Sequence, residues 1–325
     1  MSRDPARKDA PPIVVVALGG NAMQSPVGDD SVESDFERTA LTASHLVPLV
    51  ASGKWRLVVT HGNGPQVGNH LLRSELGREY GDLPTLPLDI CVADTQGGMG
   101  YVLQQSLVNA FHGADISAVV VSVVTQVVVS EDDPAFEAPI KPIGEMIPAE
   151  RVLDLQARGW VLIEDKHRGG WRRVVASPDP LEIVEASAIR SLVDDGAVVI
   201  AAGGGGVPVI SGPEGEMRGV AAVIDKDLAS ALLAIDLGAE RFVVLTDVDY
   251  VYRGFGTPEQ WPLRSVAVAE LRDLLAAGEF PRGTMAPKIE ALCRFVEATG
   301  RPGVISSIEN CESALEGENG TEVHA

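Results

Sequence analysis

The chain has 325 residues, 45% of them hydrophobic, with a mean hydropathy of +0.12, ample for one large α/β domain or two smaller ones. Its formal net charge of −20 and pI near 4.6 argue against nucleic acid and anionic membrane as partners. No stretch approaches the ~18 apolar residues of a membrane span. Residues 1–12 are charged and Pro-rich, and Cys91, Cys293 and Cys311 show no metal spacing, which points to a reduced, cytoplasmic protein.

In chain order, residues 1–12 read as a disordered lead. Residues 13–18 form a continuous apolar run, which predicts a strand buried on both faces. A polar connection over 24–34 leads to a helix over 35–51, with Leu41, Leu46, Val47 and Val50 at helical spacing. A second strand is expected over 55–60 and a helix from Pro65 to about Leu76. Pro84 and Pro87 mark a loop over 82–89. Residues 95–111 read as a helix whose Gly97, Gly98 and Gly100 suit a subunit contact. Residues 118–129 are the most β-branched run of the chain and predict one strand.

Composition changes after Ser130. Residues 131–180 carry Pro134, Pro139, Pro142, Pro148, Pro178 and Pro180, with Trp160 and Trp171. They interrupt the strand–helix rhythm and predict a small protruding subdomain, with short strands at 160–163 and 172–175, of the kind that acts as a lid. The rhythm resumes with a helix over 182–193, a strand over 198–202 and a hairpin of 207–211 with 217–220. A helix over 225–237, a strand over 241–246, helices over 266–277 and 287–299 and a strand over 303–306 follow. Residues 13–310 thus form the main domain, and 311–325 read as a loose tail.

Three strands run into glycine turns. Residues 14–18 lead to Gly19-Gly20-Asn21, residues 58–60 to His61-Gly62-Asn63-Gly64-Pro65, and residues 198–202 to Gly203-Gly204-Gly205-Gly206. Taken singly, each is an ordinary strand-to-helix connection. Together they predict one anion site at the ends of neighbouring parallel strands. Pro65 suits a first helical turn, Gly62 and Gly64 let backbone amides approach a ligand, and Asn63 adds a side-chain donor. Neither common phosphate device is present. Of the lysines, only Lys54 follows a glycine in the P-loop manner, and it precedes Trp55. The run from Gly62 to Gly68 is one residue too long for a dinucleotide fingerprint.

The chain has only six lysines, Lys8, Lys54, Lys141, Lys166, Lys226 and Lys288, and otherwise uses arginine, so an oddly placed lysine asks for a reason. Lys226 stands between Asp225 and Asp227 at a helix start, which suits a cation held in place to neutralise a phosphoryl group in transit. A solvated surface pair is the plainer alternative. Lys288 lies in the first turn of a helix, against the helix dipole, unless an anion is bound there. Lys141 sits between prolines in the insert.

These segments resemble the carbamate kinases of the amino acid kinase superfamily. The matching runs are 16–22, 61–69, 125–129, 141–144, 203–208, 223–230, 247–251 and 283–290, in the right order over about 13–310. The Lys141-Pro142-Ile143-Gly144 of the insert separates this family from its acetylglutamate, aspartate and uridylate kinase relatives. The resemblance implies an α/β fold, a three-layer α/β/α sandwich around a mainly parallel sheet, and a homodimer. It implies reversible phosphoryl transfer between ATP and carbamate, giving ADP and carbamoyl phosphate, with Mg²⁺ bound through the nucleotide phosphates and no metal-ligating side chains. By resemblance, Gly19, Gly20, Asn21, Gly62, Asn63, Gly64, Gly204 and Gly205 cradle the substrate and phosphoryl group. Asp225, Lys226, Thr246, Asp249, Tyr250, Met285 and Lys288 serve the nucleotide. Lys141, Lys226, Asp227 and Lys288 carry the transfer, with Asp227 orienting the lysines. One departure is a run from His167 to Trp171 that is one residue longer than the family pattern, in the insert and away from the transfer lysines. A kinase of the same fold for another small acid, and a silent nucleotide-binding sensor, are the alternatives.

Overall fold

A computed structural model describes residues 10–23, 31–165, 169–281 and 283–325. Most of the lead, most of the polar connection over 24–34, and Lys166, His167 and Arg168 of the insert lie outside the described residues. The first part of the chain contributes β1 (Ile13–Leu18), α1 (Val32–Ala51), β2 (Arg56–His61), α2 (Gly64–Gly81), α3 (Leu88–Gly113), β3 (Val120–Ser122) and β4 (Gln126–Val128). The insert contributes β5 (Lys141–Ile147), α4 (Val152–Ala157), β6 (Leu162–Asp165) and β7 (Gly170–Val175). Then come β8 (Glu182–Ile183), α5 (Ala186–Asp194), β9 (Val198–Ile200), β10 (Val207–Ser211), β11 (Met217–Gly219), α6 (Lys226–Asp236) and β12 (Arg241–Thr246). The chain closes with β13 (Val251–Arg253), β14 (Trp261–Leu263), β15 (Ser265–Ala267), α7 (Val268–Ala276), α8 (Met285–Thr299), β16 (Gly303–Ser307), α9 (Cys311–Leu315) and β17 (Thr321–His324).

The main sheet has the order β15-β17-β16-β12-β1-β2-β9-β3. From β16 to β3 all neighbours are parallel; β17 runs antiparallel to β16. Continuous apolar runs make this possible, because both faces are covered. Val15, Ala17, Val58, Val199 and Val244 join the core beneath α5, α6, α7 and α8. Val14, Val16, Leu18, Val59 and Val243 join the core beneath α1, α3 and α9. The result is the expected three-layer α/β/α arrangement. Among the described residues, no helix is long and apolar enough to cross a membrane.

The insert is a three-stranded antiparallel sheet, β5-β7-β6, over a small cluster of Val152, Leu155 and Leu162 with Trp160 and Trp171 packed on it. Its two ends meet where Asp179 N donates to Asp133 Oδ2 at 3.0 Å. It rests on α2, held by Arg173–Glu75 at 2.8 Å and Arg158–Glu79 at 2.9 Å. At the closest approach Gly68 of α2 faces Gly144 of β5, where a Cβ on Gly68 would lie 2.1 Å from the Gly144 Cα. Only glycine at position 68 lets the two backbones meet there. β5 was not legible in the sequence, because Pro142 and Gly144 break any strand pattern.

Several local expectations change. The single strand expected over 118–129 is two strands in different sheets, β3 beside β9 and β4 beside β10. The break falls at Thr125, whose N–H and C=O both bond the Gln96 side chain, at 2.9 Å each. The helix expected from 182 opens as strand β8, and only then becomes α5. Residues 311–325 are no loose tail: they form α9 and then β17, which pairs both β16 and β15. That pairing also makes Val266 and Ala267, expected to open a helix, the end of strand β15. Partners more than fifty residues apart in the chain leave no local periodicity to read.

Candidate active site

β1 lies between β2 and β12, so the strand order reverses at its carboxyl end. Such a switch point opens a crevice in a parallel sheet. Gly19 follows β1, Gly62 follows β2 and Asp247 follows β12. A Cβ on Gly62 would lie 3.0 Å from Lys226 Cδ and 3.9 Å from Gly20 N, so the first two glycine turns and the lysine converge. Gly20–Ala22 forms a single 3-10 turn closed by Ala22 N to Gly19 O at 3.1 Å. The Asn21 side chain lies outside what is described. Gly64 opens α2, and a side chain there would meet open space.

Two aspartates organise the lysines. Asp225 caps α6: its Oδ1 accepts from Asp227 N at 2.9 Å and Leu228 N at 3.4 Å. Its other oxygen accepts from Lys141 Nζ, which reaches in from the insert. Asp227 Oδ1 takes Lys226 Nζ at 2.5 Å, and Oδ2 takes Lys288 Nζ, from the first turn of α8, at 3.0 Å. Asp227 is 3% exposed, so this is not a solvated surface pair. Ser230 Oγ donates to Lys226 O at 2.5 Å and lies 2.6 Å from Thr60 Oγ1, tying α6 to β2. Three ammonium groups thus face two carboxylates, an excess of positive charge in a strongly acidic chain.

The electrostatics follow from burial. Burial pushes the Lys226 ammonium down to about 8, and Asp227 only partly restores it. Burial works against the charged Asp227 carboxylate as well, but Lys226 and Lys288 outweigh it and hold that group well below the usual carboxylate range. Lys288 is likewise opposed by burial, and Asp227 raises it above the ordinary lysine value. All three groups are charged at neutral pH. The arrangement leaves one positive charge in excess to meet an anion and offers no nucleophile of its own.

Other expected residues are placed differently. Gly204 and Gly205 are buried, and side chains there would strike Asn63 Cγ at 2.2 Å and Ile224 O at 2.5 Å. Glycine is therefore required at both positions by the packing under the crevice. The Asn63 side chain is held within the protein: Nδ2 donates to Thr95 Oγ1 of α3 at 2.8 Å. Asp249 Oδ1 accepts from Ser307 Oγ at 2.7 Å and Asn310 Nδ2 at 2.9 Å, bracing the loop after β12 against the end of β16. Tyr250 accepts from Arg264 Nη1 at 3.0 Å, and that guanidinium also stacks on its ring at 4.9 Å. Thr246 ends β12 beside a cavity of about 380 Å³ that it lines with Gly19, Ala22 and Asp247. Met285 is the first residue of α8. The sequence reading missed Gln96 and Ser230, although a glutamine on the buried face of an apolar helix is a signal of a bonded polar group.

The chain belongs to the amino acid kinase family, whose model matches residues 12–307. Within that family it is similar to the carbamate kinase of Pyrococcus furiosus, 45% identical over 312 residues, covering 95% of this chain and 98% of that one. It is 44% identical over 309 residues to the carbamate kinase of Halobacterium salinarum, covering 95% and 97%. Among solved structures, the carbamate kinase of Giardia lamblia bound to AMP-PNP matches with a TM-score of 0.88 at 37% identity, covering 97% of this chain and 99% of that chain.

Proposed function

We propose that the chain is a carbamate kinase, transferring a phosphoryl group reversibly between ATP and carbamate to give ADP and carbamoyl phosphate. The observation that carries this reading is the Asp227 carboxylate bridging Lys226 and Lys288 beside Gly20 and Gly62, with Lys141 brought to Asp225 from the insert. In the forward direction a carbamate oxygen attacks the γ-phosphorus, the new P–O bond forms, and the bond to the β–γ bridging oxygen breaks. The electron pair leaves on ADP. Lys226 and Lys288 stabilise the charge on the moving group and the departing phosphates, and Asp227 fixes where both ammonium groups stand. The backbone at Gly19, Gly20, Gly62, Asn63 and Gly64 holds the acceptor end, with the N-terminus of α2 adding favourable potential for an anion.

Among the described residues no group of three His, Cys, Asp or Glu side chains could hold a metal ion. Asp225 and Asp227 are already paired with lysines. This donor set fits Mg²⁺ carried by the nucleotide phosphates, where it would add positive charge, while Lys226 and Lys288 hold those phosphates. Purified protein with ADP, Mg²⁺ and carbamoyl phosphate is expected to form ATP, and acetyl phosphate to support far less. Equal use of both donors would assign the site to another small acid.

The insert acts in this reading as a lid that delivers Lys141 to the carbamoyl group and excludes water from two labile compounds. Its joined ends, Asp133 and Asp179, give a natural pivot. Lys141→Ala is expected to lower kcat/KM for carbamoyl phosphate by about 10²-fold, the usual cost of one transition-state cation or donor, with ADP affinity nearly unchanged. Hydrogen exchange over 131–180 should slow when both substrates are present and change little with nucleotide alone. A parallel fall in ADP affinity would move Lys141 to the nucleotide site instead.

The same reading includes a homodimer formed through the open face of α3. Ile90, Tyr101 and Val108 stand exposed on it, beside Leu41 of α1, and side chains at Gly97 and Gly98 would meet open space. Light scattering should give twice the 34.2 kDa chain mass, and Gly97→Arg should give the single mass. A wild-type protein that runs as one chain would remove this surface from the account.

A further inference from the structure

His61 ends β2 and is 1% exposed, yet neither the lysine cluster nor the glycine cradle uses its side chain. Its Nδ1 lies 3.1 Å from the carbonyl oxygen of Gly62. A carbonyl can only accept, so the ring carries its proton on Nδ1. The far side of the ring is walled in. A Cβ on Gly203 would lie 2.5 Å from Nε2 and 2.7 Å from Cε1, and 3.2 Å from Gln96 Cγ. Gln96 is itself pinned by the Thr125 main chain on both its amide atoms. The imidazole therefore has one orientation. Burial, with a smaller contribution from the nearby Lys226 charge, pushes its pKa down to about 4, so the ring is neutral wherever the protein works.

A neutral ring matters because the hydrogen bond fixes a peptide plane. Gly62 has no Cβ to restrain its main chain; Asn63 beyond it is fixed by Thr95 and by Val67 N, and the Gly62 oxygen between them has the His61 ring as its partner. In a trans peptide the C=O and the following N–H point in opposite directions. With the Gly62 oxygen held by the ring, the Asn63 N–H is directed away from the ring, at the N-cap of α2 that follows the Gly62 backbone against which Lys226 Cδ lies. A protonated ring would place a second cation close to Lys226 and would incur the cost of a buried charge, so the ring stays neutral.

We infer that His61 is a positioning residue, whose neutral imidazole locks the Gly62–Asn63 peptide so that the Asn63 amide is presented to the substrate's transferring phosphoryl end. This rests on the carbamate kinase reading of the site and assigns the residue that orients its backbone donor. The donor acts on the acceptor side of the crevice, whereas Lys288 and α8 serve the nucleotide, so the two sides separate in a kinetic experiment.

The test uses full-length protein and three variants. Leucine at 61 fills the space without a donor. Asparagine places an amide N–H near the position of Nδ1, and glutamine places one near Nε2 instead. His61→Leu is expected to lower kcat/KM for carbamoyl phosphate by about 10²-fold, the cost of one misaligned transition-state donor. Its ADP dissociation constant, by calorimetry, should stay within about twofold of wild type. His61→Asn should recover to within about tenfold of wild type, and His61→Gln should not recover. Should His61→Leu fail to fold, the asparagine and glutamine variants carry the comparison. Equal loss in all variants, or ADP affinity falling alongside turnover, would make His61 a packing residue and overturn the inference. Wild-type protein that forms no ATP would instead overturn the functional reading itself.

Discussion

Lys226→Ala and Lys288→Ala are each expected to lower kcat by about 10²–10³-fold, with much smaller changes in KM. Both ammonium groups are more than half enclosed, Lys226 with 13% and Lys288 with 11% of its side chain exposed, so their charge acts in a medium that screens it weakly. The charge they face is greatest as the phosphoryl group passes between oxygens, and loss of either cation falls mainly on that step. Lys54 provides the control. It is 64% exposed and paired with Glu316 on the surface, and its alanine variant should keep full turnover. The assignment fails if the three variants lose activity alike. The same lysine gives a pH signature. Its pKa near 8 means that Lys226 is charged below that value and neutral above it. In the free enzyme kcat/KM should therefore fall as pH rises through about 8. Bound phosphates favour the ammonium form, so the fall in kcat should come at higher pH. A kcat/KM profile flat to pH 10, on the order of two units past the lysine's titration, would contradict the placement of Lys226.

Asp227→Asn should abolish most activity while the chain keeps its fold. The amide is close in shape, but it cannot accept two charged hydrogen bonds or balance two cations. Lys226 and Lys288 would be left facing each other, and both would lose protons more easily. The cluster lies at the strand ends, so the circular dichroism spectrum should be unchanged, while the melting temperature should fall because two enclosed ammonium groups lose their counter-charge. Turnover near wild type in a folded Asp227→Asn protein would remove Asp227 from the mechanism. A protein that unfolds outright would recast the cluster as structural.

What the sequence made legible had local physical causes. The apolar runs of β1, β2 and β12 could be read directly because both faces of a parallel sheet are covered. Lys226 and Lys288 stood out because the chain otherwise avoids lysine, and a cation in a first helical turn needs an anion. What the sequence hid was set by distant partners. β17 exists because β15 and β16 flank it, and a local window over 311–325 sees few apolar residues, set singly among polar residues and glycine. The packing constraint on Gly204 and Gly205 comes from Asn63 and Ile224, brought against them by the segments after β2 and before α6, and could not be read locally. The Lys141–Asp225 pair spans the insert and could not be read from spacing. His61 was passed over because a lone histidine at a strand end looks like filler until the Gly62 carbonyl is seen against its ring.

The most direct measurement of the central claim is ³¹P NMR of the purified protein with Mg²⁺, ADP and carbamoyl phosphate. The carbamoyl phosphate signal should decay while the γ-phosphorus signal of ATP grows in equal amount, faster than the inorganic phosphate released in an enzyme-free sample. The double variant Lys226→Ala, Lys288→Ala should show only that background release. Growth of inorganic phosphate without ATP, or ATP formed equally well by the double variant, would contradict phosphoryl transfer at this site.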